Sequence, residues 1–108
     1  MKERIGSFEQ LVLLAVMRLS EGAYGMAVKR EITERTGRPI SLGAVYATLD
    51  RLENKGYITS SEGSGSPDRQ GRARRFFRVQ ASGRIALEAS LADVKRMVQG
   101  LKLQWDRR

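Results

Sequence analysis

The chain has 108 residues, of which 41% are apolar and 30% charged, enough for one domain with a modest core of the kind that often gains from pairing with a copy of itself. Lys and Arg number 20 against 12 Asp and Glu, a net charge of +8, so the natural partner is a polyanion, with nucleic acid ahead of an anionic membrane. There is no Cys and no His, which excludes disulfides, thiol nucleophiles, Cys/His zinc sites and imidazole-dependent triads, and no enzyme, metal or cofactor is expected.

The first predicted helix runs from about residue 8 to 19. Ser7 and Gln10 have capping-box spacing, and Phe8, Leu11, Val12, Ala15 and Leu19 form an apolar face. The apolar run Leu11–Met17 within it falls well short of the ~20 residues of a membrane span, and no signal-peptide pattern precedes it, so a cytoplasmic protein is expected. Glu21-Gly22 ends this helix. The second begins at Tyr24, repeats apolar residues at Val28 and Ile32, pairs Glu31 with Arg35 and stops at Gly37, a residue suited to a left-handed cap. Arg38-Pro39-Ile40 is extended, and Ser41 then caps a third helix with the core stripe Leu42, Val45, Leu49 and Leu52.

After Gly56, residues 57–61 read as a short strand and residues 76–79 as its antiparallel partner. The polar, glycine-rich stretch between them reads as a mobile hairpin tip. A last helix opens at Ser82. Its apolar residues Leu87, Leu91, Val94, Val98, Leu101 and Trp105 are spaced alternately four and three apart, the seam of a coiled coil. Gly100 is expected inside that helix at a cost of ~1 kcal/mol.

The expected fold is mainly α with a small β-hairpin: a winged helix-turn-helix over residues 1–80, followed by a long C-terminal dimerisation helix over 81–108. With its core stripe set aside, the third helix offers Gly43, Ala44, Ala47, Thr48 and Arg51 on another face, with Tyr46 and Asp50 beside them. Small residues near a helix start let the backbone approach the major groove while its positive dipole end, capped by Ser41, faces phosphates. The bland alternative is that the small residues only allow another helix to pack closely. Tyr46 suits either phosphate or core; Thr48 and Arg51 are the side chains expected to reach base edges, with solvation the competing reading for Arg51.

The hairpin carries Arg69, Arg72, Arg74, Arg75 and Arg78 against Asp68 alone. Crowded arginines repel one another unless an anion lies between them, which points to phosphate or minor-groove contact, although an ion pair serves Arg78 equally well. Lys29, Arg30 and Lys55 are weaker candidates. Carboxylate pairs such as Glu31 with Glu34 and Glu88 with Asp93 have no catalytic companions.

Tyr24-Gly25, the run SLGAVYATLDRLENKGYI from Ser41 to Ile58, the segment GRARRFFRV from Gly71 to Val79 and Ser82-Gly83-Arg84 together resemble the PadR family of bacterial winged helix-turn-helix regulators. Gln80 departs from the Thr usual before the last helix. The resemblance implies a homodimer joined through the last helix, two third helices in successive major grooves of an inverted repeat, and usually repression. It also implies phosphate contact at Tyr46, DNA contact at Arg72, Arg74 and Arg75, and in some relatives a small aromatic effector, which Trp105 would be placed to stack on. The competing readings are a protein-binding winged helix whose charge is incidental and, more weakly, a basic amphipathic protein on anionic membrane.

Overall fold

A computed structural model of the protein describes residues 5–67 and 73–103. Helix α1 (Ser7–Leu19) starts one residue earlier than the sequence suggests. Gly6, not Ser7, is its N-cap, and the Gly6 N–H donates to the Glu9 carboxylate at 2.8 Å. A carboxylate is the stronger acceptor, and Gln10 is engaged elsewhere: its Nε2 donates to Ser90 Oγ at 2.6 Å. A short 3-10 turn (Ser20–Gly22) leads to helix α2 (Gly25–Thr36), closed by Gly37 at φ 75°. The Glu31 carboxylate accepts from Arg35 at 2.6 Å and from Arg18 of α1 at 3.2 Å, joining the two helices at the surface.

Helix α3 (Leu42–Asn54) is capped as its sequence indicates, with Ser41 Oγ accepting from the Ala44 N–H at 3.0 Å. Strands β1 (Ile58–Pro67) and β2 (Ala73–Val79) form an antiparallel pair, in register from Ile58 opposite Val79 to Glu62 opposite Arg75. Both strands outrun their β-rich segments, because backbone pairing continues into the Gly/Ser arm, with Pro67 opposite Ala73 beyond an irregularity. A third piece of extended chain joins the sheet: the Phe77 N–H donates to the Ala23 carbonyl at 2.8 Å, and Tyr24 bridges Phe76. The wing is thereby anchored to the start of α2.

Helix α4 (Ala81–Val98) has Gln80 as its N-cap. Ser82 is not the cap; its hydroxyl donates to the Gly56 carbonyl at 2.7 Å and fastens the helix start to the turn after α3. The helix is shorter than the seam suggests. Gln99 leaves the helical region and Gly100 adopts φ 89°, so Gly100 ends the helix instead of being tolerated within it. Leu101 therefore lies beyond the helix, and Trp105 lies outside the described residues.

Val12, Leu13 and Val16 of α1 pack with Val28 and Ile32 of α2, Val45, Leu49 and Leu52 of α3, and Ile58 and Phe77 of the hairpin. Leu42, expected on the α3 stripe, is only half-buried at the helix start. Leu87 is 2% exposed and completes this core. It is thus an anchor for α4 and not part of an outward seam. Gly83 makes that docking possible, since a Cβ there would collide with the Tyr57 carbonyl. Past Ser90 the helix leaves the core behind, and Leu91, Val94 and Met97 are exposed.

Candidate nucleic-acid interface

The face of α3 turned away from the core presents Gly43, Ala44, Tyr46 and Ala47 to solvent, with Ser41 exposed at the N-terminal end. This is the low-bulk surface a groove-reading helix needs. Thr48 is a correction. It is 2% exposed, on the buried side between Val45 and Leu49, so its hydroxyl cannot reach a base edge. The stripe Val45, Leu49 and Leu52 is wide enough, at a helical turn of 3.6 residues, to enclose position 48 as well.

Tyr46 is 37% exposed and lies on the flank of α3 nearest α2. Its ring covers the α-carbon of Gly25 so closely that any Cβ at that position would overlap the ring carbons and hydroxyl. The phenol is thereby held at the first turn of α2, where the amides of the helix end face outward.

Arg51 occupies the opposite flank. Its Nε donates to Glu9 Oε2 at 3.2 Å and its Nη2 to Thr48 Oγ1 at 3.3 Å, while 54% of the side chain stays open to solvent. The same Glu9 oxygen accepts from Lys55 Nζ at 2.9 Å. Glu9 is a buried acid, 6% exposed. Burial pushes its carboxyl up, but the Gly6 N–H, the Lys55 ammonium and the Arg51 guanidinium together outweigh that cost and hold it below the usual carboxylate range. Sequence reading passed over Glu9, yet a signal was there: it precedes Val12, Leu13 and Val16 by three, four and seven residues, on the buried face of α1.

On the wing, Arg74 lays its guanidinium 4.2 Å from the centre of the Tyr24 ring. The Tyr24 hydroxyl accepts from Arg30 Nη2 at 3.4 Å, and its ring meets Phe76 edge-on at 5.6 Å. Tyr24 thus gathers two cations beside Tyr46, at the junction of α2, α3 and the wing. Arg75 turns the other way, toward Glu53 and Asp50 of α3, at 2.6 Å and 3.7 Å. Arg78 is exposed on β2. Arg69 and Arg72 lie outside the described residues. Among the described residues no group of acidic side chains could hold a metal ion, and no helix is long and apolar enough to cross a membrane.

A winged helix-turn-helix with its small-faced third helix and basic hairpin is the architecture of a large group of regulators. Within that group, the family model described as the transcriptional regulator PadR-like family matches residues 13–89. The chain belongs to this family. PadR-like proteins are transcriptional regulators and not enzymes. The fold is similar to that of a PadR family transcriptional regulator from Eggerthella lenta, at 27% identity and a TM-score of 0.68, covering 84% of this chain and 77% of that one. A transcriptional regulator from Clostridium thermocellum gives 20% identity and a TM-score of 0.68 over 83% and 84% of the two chains. A PadR family regulator from Clostridium difficile gives 19% and 0.66 over 85% and 95%. No curated protein is detectably similar in sequence. The PadR-like match takes in α2, α3 and the wing whole, with Tyr24, Ser41 and Lys55 that flank the helices, so that of the described interface side chains only Glu9 lies outside it.

Proposed function

We propose that the protein is a repressor that binds an inverted-repeat operator as a homodimer, with α3 in the major groove and the wing on the flanking backbone. The observation that carries this reading is the exposed face Gly43, Ala44 and Ala47, flanked by Tyr46 on one side and Arg51 on the other, with Arg74 and Arg30 gathered on Tyr24 next to it. Low bulk at the centre suits base edges, and cations at the margins suit phosphates. Arg51, held by Glu9, keeps a guanidinium edge open for a guanine or a phosphate. Arg69 and Arg72 supply further wing charge in this reading.

The homodimer rests on α4. Leu91, Val94 and Met97 are exposed on its outer turns, with Leu101 and Leu103 exposed just beyond. A soluble protein covers apolar surface of that extent, and a second copy of the same helix is the simplest cover. In this division of labour residues 1–80 read DNA, residues 81–108 pair the subunits, and Leu87 joins the two through the core. The small aromatic effector implied by the family resemblance is tested by whether a panel of flat aromatic compounds quenches Trp105 fluorescence and releases DNA.

The deciding experiment is a salt titration of binding to duplex DNA, followed by selection of bound fragments from the source genome. Phosphate neutralisation makes log K fall linearly with log salt, at about 0.9 per phosphate contacted. A protein that binds no duplex at low salt, and instead captures a protein partner, overturns the proposal in favour of an interaction module.

A further inference from the structure

We propose that Arg75 is a positioning residue that fastens the wing to the third helix, and is not itself a ligand of phosphate. The inference rests on the DNA-binding reading above and refines it. Arg75 stands opposite Glu62 at the base of the hairpin, two residues before the buried Phe77. Two of its three guanidinium nitrogens hydrogen-bond within the protein and the third faces a carboxylate, while 44% of the side chain stays open to solvent. Nη2 meets Glu53 Oε1 at 2.6 Å, Nη1 lies 3.7 Å from Asp50 Oδ1, and Nε donates to Ser60 Oγ at 3.1 Å. The Ser60 hydroxyl donates in turn to the second Glu53 oxygen at 2.8 Å, closing a ring of contacts between α3, β1 and β2. The guanidinium carbon lies 5.1 Å from the centre of the Phe77 ring.

The neighbouring Arg74 is a useful contrast, because it stacks on Tyr24 and is paired with no carboxylate among the described residues. Two adjacent arginines on one strand therefore do different work, as the alternation of strand faces dictates. The acids that hold Arg75 explain why it is needed. Asp50 and Glu53 lie on the wing side of the helix proposed to enter the groove, where bare carboxylates would repel the phosphate backbone. Arg75 offsets one of those charges and fixes the wing's angle to α3 with the same contact. A cation already paired inside the protein displaces no counterion from DNA, so Arg75 adds nothing to the salt dependence of binding.

Arg75→Gln, Glu53→Gln and the double variant decide the matter, read by thermal unfolding and by salt titration on a short mixed-sequence duplex. Each single change is expected to lower the unfolding midpoint by about 2–5 °C, and the double change to lower it no further than either alone. The double variant, which keeps the wild-type net charge, should keep the wild-type salt slope. A slope reduced by about 0.9 in the double variant, or midpoint losses that simply add, overturns the proposal while leaving DNA binding intact. Wild-type protein that binds the duplex with no salt dependence overturns the DNA-binding reading and this proposal with it.

Discussion

The ring of Tyr46 lies directly on the α-carbon of Gly25, so the first turn of α2 and the exposed face of α3 are fitted to each other at one point. Gly25 is required there for space: it is 25th in the chain, helical and buried, and any larger residue displaces the phenol. Gly25→Ala should push the ring aside and cost up to about 1 kcal/mol of stability, because the atoms it meets are the outer end of a partly exposed side chain that can yield. Adding Tyr46→Ala should recover much of that stability without recovering DNA affinity, because the phenol is also the proposed phosphate contact. A double-mutant cycle in thermal unfolding, run beside duplex binding, checks both halves. A double variant no more stable than Gly25→Ala alone would show that the ring is not what the glycine accommodates.

Glu9 ties α1 to the outer flank of α3, and its ionisation should be visible in the pH dependence of stability. Its carboxyl is held below its ordinary value in the folded protein, so the unfolded chain takes up the proton first as pH falls. The stabilisation is then complete near neutral pH and lost as the medium is acidified through the carboxylate range. Glu9→Gln should lower neutral stability by about 1–3 kcal/mol, and its stability should fall less on acidification than that of the wild type. Thermal midpoints measured from neutral pH into the acid range provide the comparison. Curves that run parallel at every pH would remove Glu9 from the acid sensitivity.

Much of this is legible in the sequence, and the rest is lost for two different reasons. Caps and breakers such as Ser41 and Gly37 act locally, so their positions could be read from neighbouring residues alone. The partners of Glu9 and Arg75 could not be read that way, because they lie far along the chain. The burial of Thr48 and of Glu9, by contrast, follows from their own helix faces and is lost only when the apolar stripe is drawn too narrow. Thr48 is buried by the width of the stripe on α3; Glu9 meets Arg51 and Lys55 across 42 and 46 residues; Arg75 meets Glu53 across 22. A cluster of arginines reads as one charged patch until the alternation of strand faces divides it. The apolar period of the last helix was equally persuasive beyond Val98, but it contains no term for a glycine that turns the backbone out of the helix.

Burial of Thr48 changes which residue of α3 should carry selectivity. Thr48→Val keeps the shape of the buried side chain and removes only the hydroxyl that accepts from Arg51. It should leave the preferred operator unchanged and lower affinity at most slightly. Arg51→Ala should cost about 1–3 kcal/mol on the operator and relax one position of it. Fragment selection with each variant tests the pair. Equal losses on operator and random duplex would assign Arg51 to phosphate, and an altered operator for Thr48→Val would mean that the third helix docks differently.

Leu87 and Leu91 are one helical turn apart on α4, yet they should answer to mutation in opposite ways. Leu87 is 2% exposed inside the core, whereas Leu91 is 38% exposed and Val94 50%. A charge at Leu87 removes a buried leucine, worth about 1.5–3 kcal/mol in transfer alone, and adds an unpaired buried carboxylate, so Leu87→Glu should unfold the protein. Leu91→Glu with Val94→Glu touches surface that a single chain leaves in water, so the fold should survive. If a second copy covers that surface, the double variant should sediment as a folded monomer. It should still bind random duplex weakly through one wing and one α3, and lose the tight binding that two half-sites about 34 Å apart provide. Circular dichroism, sedimentation at micromolar concentration and operator binding, measured on the same preparations, separate these effects. A wild type that sediments as a monomer, or a double variant that remains a dimer, would falsify α4 as the pairing surface.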